Sequence, residues 1–148
     1  MIVPDLNLLI YAYNTAAPLH PAAAQWWESR LNGKEPVAVP WIVGTGFIRL
    51  MTHPRVLENP MTAGQAIARV REWRARPVVL TIEPGRKFAD IFFGYLEKLG
   101  SAGNLTTDAF LAALAVEHQA ELHSNDADFH RFAGLRWRNP LVDDEHHR

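Results

Sequence analysis

Four aspartates occupy positions where side chains could share a divalent metal ion. The stretch SNDADFHRF, residues 124–132, places Asp126 and Asp128 directly after an apolar segment, Asp5 follows the apolar start of the chain, and Asp108 precedes another apolar run. Two carboxylates 4 Å apart repel by about 4 kcal/mol at an effective dielectric of 20, so a cluster of them usually holds a cation. Oxygen ligands suit Mg²⁺ or Mn²⁺, which can activate water for hydrolysis of a phosphodiester.

Each aspartate also has a structural interpretation that the sequence leaves open. Asp108 could be an acidic residue in the first turn of a helix, where it interacts favourably with the helix dipole. Asp126 could cap a short helix over ADFHRF, and Asp128 could be a solvated residue of its first turn. Asp5 is the hardest to explain structurally, because it interrupts an apolar segment.

Strands and helices alternate along the chain, so a parallel sheet is expected. Apolar periodicity, prolines and capping residues predict the order β-α-α-β-α-α-β-α-α-β-α-β, with Thr62 and Thr106 as N-caps and Gly100 as a helix end. The strands fall near 2–3, 36–39, 78–82, 120–124 and 135–141, and the helices near 5–13, 19–32, 41–53, 63–76, 83–100 and 104–119. Parallel neighbours require crossover helices, so helices should cover both faces of the sheet.

The aspartates should meet at one edge of this sheet. Ligands of such sheets bind outside the carboxyl ends of the strands. Asp5 follows the first predicted strand, and Asp126 and Asp128 follow the fourth. Asp108 begins the helix that leads into the fourth strand, so its side chain can reach the same edge. The sequence therefore predicts one crevice that contains all four carboxylates.

Composition restricts the classes of function. The 148 residues fit one domain, and the lack of cysteine excludes disulfides, thiolate nucleophiles and cysteine zinc sites. A net charge of −1 means that a polyanion must contact a local patch, and the arginines of 69–76 are either such a patch or a solvated helix face. The apolar start is too short to span a membrane, which favours a cytoplasmic protein. The seven histidines, with the His146-His147 pair in the tail, are interpreted as packing or surface residues.

Three stretches together resemble one known family. They are DLNLLIYA at the start, TTDAFLAALAVEHQAEL later and SNDADFHRFAGLRWRNPL near the end. With them the chain resembles PIN-domain ribonucleases of the VapC type, the toxins of bacterial toxin-antitoxin pairs. The resemblance implies a single PIN domain over 1–148, an α/β fold of three α/β/α layers around a short, mostly parallel sheet of four to five strands.

The resemblance also implies an activity and partners. It implies an endoribonuclease that uses Mg²⁺ or Mn²⁺ to hydrolyse RNA. A VapB-type antitoxin would neutralise it by packing a C-terminal segment into a groove of the toxin. The assembly would be a homodimer or a toxin-antitoxin hetero-oligomer, without a membrane partner.

The family motifs assign roles to individual residues. Asp5, Asp108 and Asp126 match the catalytic aspartates and are expected to bind the metal, and Asp128 matches an accessory catalytic acid. Asn7 matches a polar residue that usually forms hydrogen bonds within the site.

Three further positions bear on the assignment. Ser124 matches a small hydroxyl residue that lines the site, and Arg49 is the first candidate for binding RNA phosphates. The family commonly has a glutamate where this chain has Gly46, so one acid is missing. An alternative function is therefore a catalytically impaired PIN domain that binds antitoxin or RNA. A haloacid-dehalogenase-like phosphatase is a third hypothesis, but that chemistry requires a second aspartate where this chain has Asn7.

Overall fold

The structure, a computed structural model, describes residues 1–100 and 103–142. Residues 101–102 and the tail 143–148, with the predicted incidental pair His146-His147, lie outside the described residues. The strands are β1 (Ile2–Pro4), β2 (Val37–Ala38), β3 (Val79–Leu80), β4 (Glu121–His123) and β5 (Arg136–Arg138). The helices are α1 (Leu6–Tyr13), α2 (His20–Leu31), α3 (Trp41–Met51), α4 (Ala63–Arg74), α5 (Phe88–Leu99) and α6 (Thr106–Glu117).

The five strands form one sheet with the order β3-β2-β1-β4-β5, and every neighbouring pair is parallel. The chain moves outward in one direction from β1 to β3 and then crosses back to β4 on the other side of β1. The strand order therefore reverses between β1 and β4, and in open parallel sheets this is where ligands bind. The predicted α/β sheet of four to five strands is confirmed.

The helices form two groups that flank the sheet. Helix α1 packs against α2 and α3, α3 packs against α4, and α5 packs against α6. This arrangement gives the three α/β/α layers that the sequence predicts. Within 1–100 and 103–142 no helix is both long and apolar enough to cross a membrane.

Helix α6 is nearly apolar on all sides and lies in the core. Ala109 and the residues from Leu111 to Ala115 are at most 3 % exposed, and Phe110 is partly buried against the same core. A helix buried on all sides has little freedom to move. It therefore fixes the position of Asp108 in its first turn.

Two predicted helix starts need correction, whereas Thr62 caps α4 as predicted, in a capping box with Gln65. Thr106 is the first residue of α6 and not its N-cap, because its hydroxyl donates to the Gly103 carbonyl instead of capping the helix. Helix α5 begins at Phe88, five residues after the predicted start at position 83. The preceding turn is held by Glu117, whose carboxylate accepts from the amide of Gly85.

Candidate active site

Asp5 is held rigidly where β1 ends and α1 begins. Its backbone amide donates to the His123 carbonyl across 2.8 Å, which extends the pairing of β1 with β4. Its side-chain Oδ1 accepts from the Leu6 amide at 2.7 Å and caps α1. Asp5, the aspartate that was hardest to explain structurally, is therefore an N-cap. Its second oxygen, Oδ2, takes no part in the cap and contacts a different residue.

Ser124 connects the two strands at this edge. Its hydroxyl donates to Asp5 Oδ2 at 2.7 Å and accepts from the Asp126 amide at 3.0 Å and from Asn7 Nδ2 at 3.4 Å. The residue is 0 % exposed. One buried hydroxyl thus orients the Asp5 carboxylate and connects it to Asn7 and Asp126, and the supporting roles of Asn7 and Ser124 stay predictions.

Asp126 and Asp128 lie on a short 3-10 helix that follows β4. This helix spans Ala127–Arg131, and Asp126 Oδ1 caps it by accepting from the Asp128 amide at 2.9 Å. Phe129 is buried against the core, which anchors the turn. Asp128 is exposed and forms a 3.4 Å ion pair with Arg131. The interpretation of Asp126 as a cap is correct, and this role is compatible with a further role of its carboxylate in the candidate site.

The charges of the other aspartates act on Asp108 and Asp5. Burial, which is the largest cause, and the negative charges of Asp5, Asp126 and Asp128 together raise the pKa of Asp108 to about 6. Burial also raises the pKa of Asp5, although the hydrogen bonds from Ser124 and Leu6 oppose this, and the charge of Asp126 adds to the increase. Asp5 and Asp126 follow β1 and β4, the neighbouring strands between which the strand order reverses.

The donor set suits a hard divalent cation. The carboxylates offer only oxygen, the ligand type that Mg²⁺ and Mn²⁺ prefer. Asn7 Oδ1 is buried and has no hydrogen-bond partner among the described residues. A water molecule bound to a cation is a donor that this oxygen could accept from. In the conformation described for 1–100 and 103–142, no three His, Asp or Glu side chains form a group that could already hold a metal ion.

Gly46 lies beside this site and Leu6 fills the space next to it. Gly46 is buried in α3, and a Cβ placed on it would lie 2.6 Å from Leu6 Cδ2. A glutamate could not occupy this position unless Leu6 moved. Any side chain at residue 46 and the present position of the Leu6 side chain therefore exclude each other.

The loop after β4 is also held by residues whose role the sequence did not reveal. Trp137 Nε1 donates to the Ser124 carbonyl at 3.1 Å, and Asn139 Nδ2 donates to Asn125 Oδ1 at 2.9 Å. These contacts require the pairing of β4 with β5, which the sequence does not specify. Arg49 is exposed in the last turn of α3, and no contact within the described residues joins it to the four aspartates.

Comparisons with known proteins agree with this fold. The PIN domain family profile matches residues 2–135. Ribonuclease VapC33 of Mycobacterium tuberculosis is 46 % identical over 141 residues, which cover 95 % of this chain and 99 % of that protein. Ribonuclease VapC37 of the same organism is 39 % identical over 140 residues, covering 95 % of this chain and 97 % of that protein.

A solved structure shares the fold at low sequence identity. The VapBC2 complex of Rickettsia felis, bound to a DNA fragment from its promoter, contains a chain with a TM-score of 0.68 and 20 % identity. The match covers 94 % of this chain and 98 % of that one. The protein belongs to the PIN-domain family, and within it to the VapC group. The predicted resemblance is confirmed, and the phosphatase hypothesis has no support.

Proposed function

We propose that this protein is a metal-dependent endoribonuclease toxin that hydrolyses RNA phosphodiesters. The observation that carries the proposal is the convergence of four aspartates on the edge where the strand order reverses, with the pKa of Asp108 raised to about 6. Such a cluster is costly unless a cation compensates it. The ribonuclease names of the VapC relatives supply the substrate class.

The residues of the proposed site have different roles in holding the reacting groups. Asp5, Asp108 and Asp126 would bind Mg²⁺ or Mn²⁺, and Asp128 would assist from the exposed rim. The bound ion would supply an activated water and stabilise negative charge on the phosphate oxygens. Ser124 orients the Asp5 carboxylate through its 2.7 Å hydrogen bond. Supporting hydrogen bonds of this kind typically contribute about 10- to 100-fold to activity or metal affinity.

The proposed binding partners are based on the same similarity to VapC proteins. The similar solved chains occur in complexes named VapBC, so we propose a VapB-type antitoxin as the protein partner, in a homodimer or a hetero-oligomer. Arg49 is proposed as a contact for RNA phosphates, since its exposed guanidinium can bind them without reading sequence. The site of action would be the cytoplasm, where RNA substrates are present.

Cleavage of RNA should depend on a divalent cation. We expect the purified chain, free of antitoxin, to cut total bacterial RNA into discrete products with Mg²⁺ or Mn²⁺, because the carboxylates cannot activate water without the ion. Excess EDTA should abolish the products, and adding back Mn²⁺ should restore them. Gel electrophoresis of the products, followed by sequencing of their ends, measures both the activity and the target.

A folded, monodisperse preparation that cuts no RNA with either ion would contradict this proposal. The alternative of an impaired PIN domain that only binds its partners would then be favoured, with the missing acid at Gly46 as its physical cause. Cleavage that persists in EDTA would point to a contaminating nuclease or to a mechanism that does not use these carboxylates.

A further inference from the structure

A polar cavity opens beside His123, the last residue of β4. Its volume is about 280 Å³, and it opens between α2 and the carboxyl ends of β4 and β5. The polar and aromatic residues that line it are Gln25, Trp26, Ser29, Arg30, His123 and Arg138. None of these residues belongs to the proposed metal site.

Two arginines, Arg30 and Arg138, line this cavity together with the buried imidazole of His123. His123 is 3 % exposed, and burial lowers its pKa, although Glu121 opposes this and the charges of Arg138 and Arg30 add to the decrease. Arg30 Nε is buried and makes no hydrogen bond within the described part of the chain. A buried guanidinium N–H without an acceptor is costly, and an anion in the cavity would remove that cost.

His123 itself does not need a ligand. Its Nδ1 accepts from Trp26 Nε1 at 3.3 Å, so the ring proton is on Nε2, which donates to Glu121 at 2.7 Å. The imidazole is neutral in this arrangement and holds the Trp26 ring beside the cavity. Arg30 is therefore the cavity residue whose charge can act on an anion, as its buried Nε makes no hydrogen bond within the described residues.

The position of the cavity indicates what kind of anion it receives. His123 and Ser124 are adjacent, and Ser124 bonds to Asp5, so the cavity and the aspartates flank the same strand end. Four carboxylates repel the phosphates of an RNA strand, and a net charge of −1 provides no general attraction. Cations next to the acid site would offset this repulsion locally. An aromatic ring beside cationic side chains is also the usual combination in sites for single-stranded nucleic acid.

We infer that this cavity binds a phosphate group of the RNA strand next to the one that is cleaved, with Arg30 as its principal ligand. The inference rests on the proposed ribonuclease function for the identity of the strand. An acidic protein segment has the same charge, but the nearness of the aspartates and the Trp26 ring favour RNA.

Binding of RNA without cleavage tests the inference. A fluorescent single-stranded RNA of about 12 nucleotides is titrated with the full chain in EDTA, and its anisotropy is measured over a range of salt concentrations. Arg30→Met should weaken binding about tenfold and reduce the slope of log affinity against log salt by about 0.7, the value for one lost phosphate contact on a single strand. Arg86→Met, which removes an exposed arginine before α5, is the matched control and should change neither quantity.

A second variant tests whether a loss of RNA binding by Arg30→Met could come from a folding defect. Ser29 is exposed at the rim of the cavity, so Ser29→Glu adds a negative charge there without disturbing the core. It should weaken RNA binding to a similar degree while circular dichroism stays native. In the cleavage assay both variants should raise KM and leave kcat nearly unchanged, because the cavity positions the strand and does not act on the reacting atoms.

The possible outcomes separate this inference from the proposed function. If the native chain binds RNA in an Arg30-dependent manner but never cleaves it, the phosphate site stands and the nuclease proposal fails. If Arg30→Met and Ser29→Glu bind RNA as Arg86→Met does, the inference is wrong even when cleavage is normal. The inference would also be wrong if the native chain did not bind RNA. It would equally be wrong if Arg30→Met and Ser29→Glu lost binding to the antitoxin and kept their binding to RNA.

Discussion

Asp5→Asn should abolish RNA cleavage while leaving the fold intact. We expect a loss of about 1,000-fold, comparable to the removal of a central electrostatic group from other active sites. The amide retains an oxygen that can accept from the Leu6 amide at the start of α1, so the cap should survive. What is lost is the charge that would bind the cation. Initial rates on a defined RNA substrate, measured with saturating Mn²⁺, give the effect.

Asp90→Asn is the matched control for this substitution. Asp90 is an exposed aspartate in the first turn of α5, outside the site, and its replacement should leave the cleavage rate unchanged. Thermal unfolding of both variants should be close to that of the native chain. Metal-dependent cleavage by Asp5→Asn at the native rate would show that the aspartate cluster is not the catalytic site.

Asp108→Asn should lose cleavage and yet make the protein more stable at neutral pH in the absence of divalent ions. The pKa of Asp108 is about 6 in the folded chain, against 3.8 for an ordinary aspartate. Between these values the folded state holds more protons than the unfolded state, so this residue's effect on stability becomes less favourable as pH rises from about 4 to about 6. A neutral asparagine removes that cost. After allowance for partial solvent screening and for the helix dipole, we expect a gain of about 1–2 kcal/mol.

The measurement is urea unfolding of both proteins in EDTA at several pH values. The difference between the two free energies of unfolding should be small near pH 4 and should reach its full value above about pH 6. Saturating Mn²⁺ should reverse the order, since only the native chain would then gain binding energy from the complete site. A variant that is less stable than the native chain at neutral pH in EDTA would contradict the proposed repulsion among the aspartates.

Local signals made most of the elements predictable from sequence. Thr62 and Gly100 mark helix ends through a capping box and a left-handed C-cap, and both work as predicted. The late start of α5 could not be predicted, because it depends on Glu117, which lies 32 positions from Gly85 and 30 from Lys87 and accepts hydrogen bonds from both backbone amides. The order β3-β2-β1-β4-β5 was likewise not specified by periodicity, which describes each strand but not its neighbours.

The site was predictable to the extent that it follows strand ends. Asp5, Asp126 and Asp128 were placed by the rule for parallel sheets, and Asp108 by the helix that leads into β4. The support from Trp137 and Asn139 depends on tertiary pairing, so spacing along the chain carried no signal for it. The same holds for the cavity at Arg30, whose residues come from α2, β4 and β5. At Gly46 the sequence indicated a missing acid, and the structure added that Leu6 fills the space.

Titration of Mn²⁺ into the native chain and into Asp5→Asn is the most direct test that these aspartates form one metal site. Calorimetry near pH 6, in buffers with different ionisation enthalpies, reports both binding and the release of protons. We predict that the native chain binds Mn²⁺ and releases about half a proton per ion, since the Asp108 carboxyl, with a pKa of about 6, is about half protonated near pH 6 and must be ionised when the ion enters, and that Asp5→Asn binds far more weakly. Equal Mn²⁺ affinity in the two proteins, or binding without proton release, would contradict a shared carboxylate site.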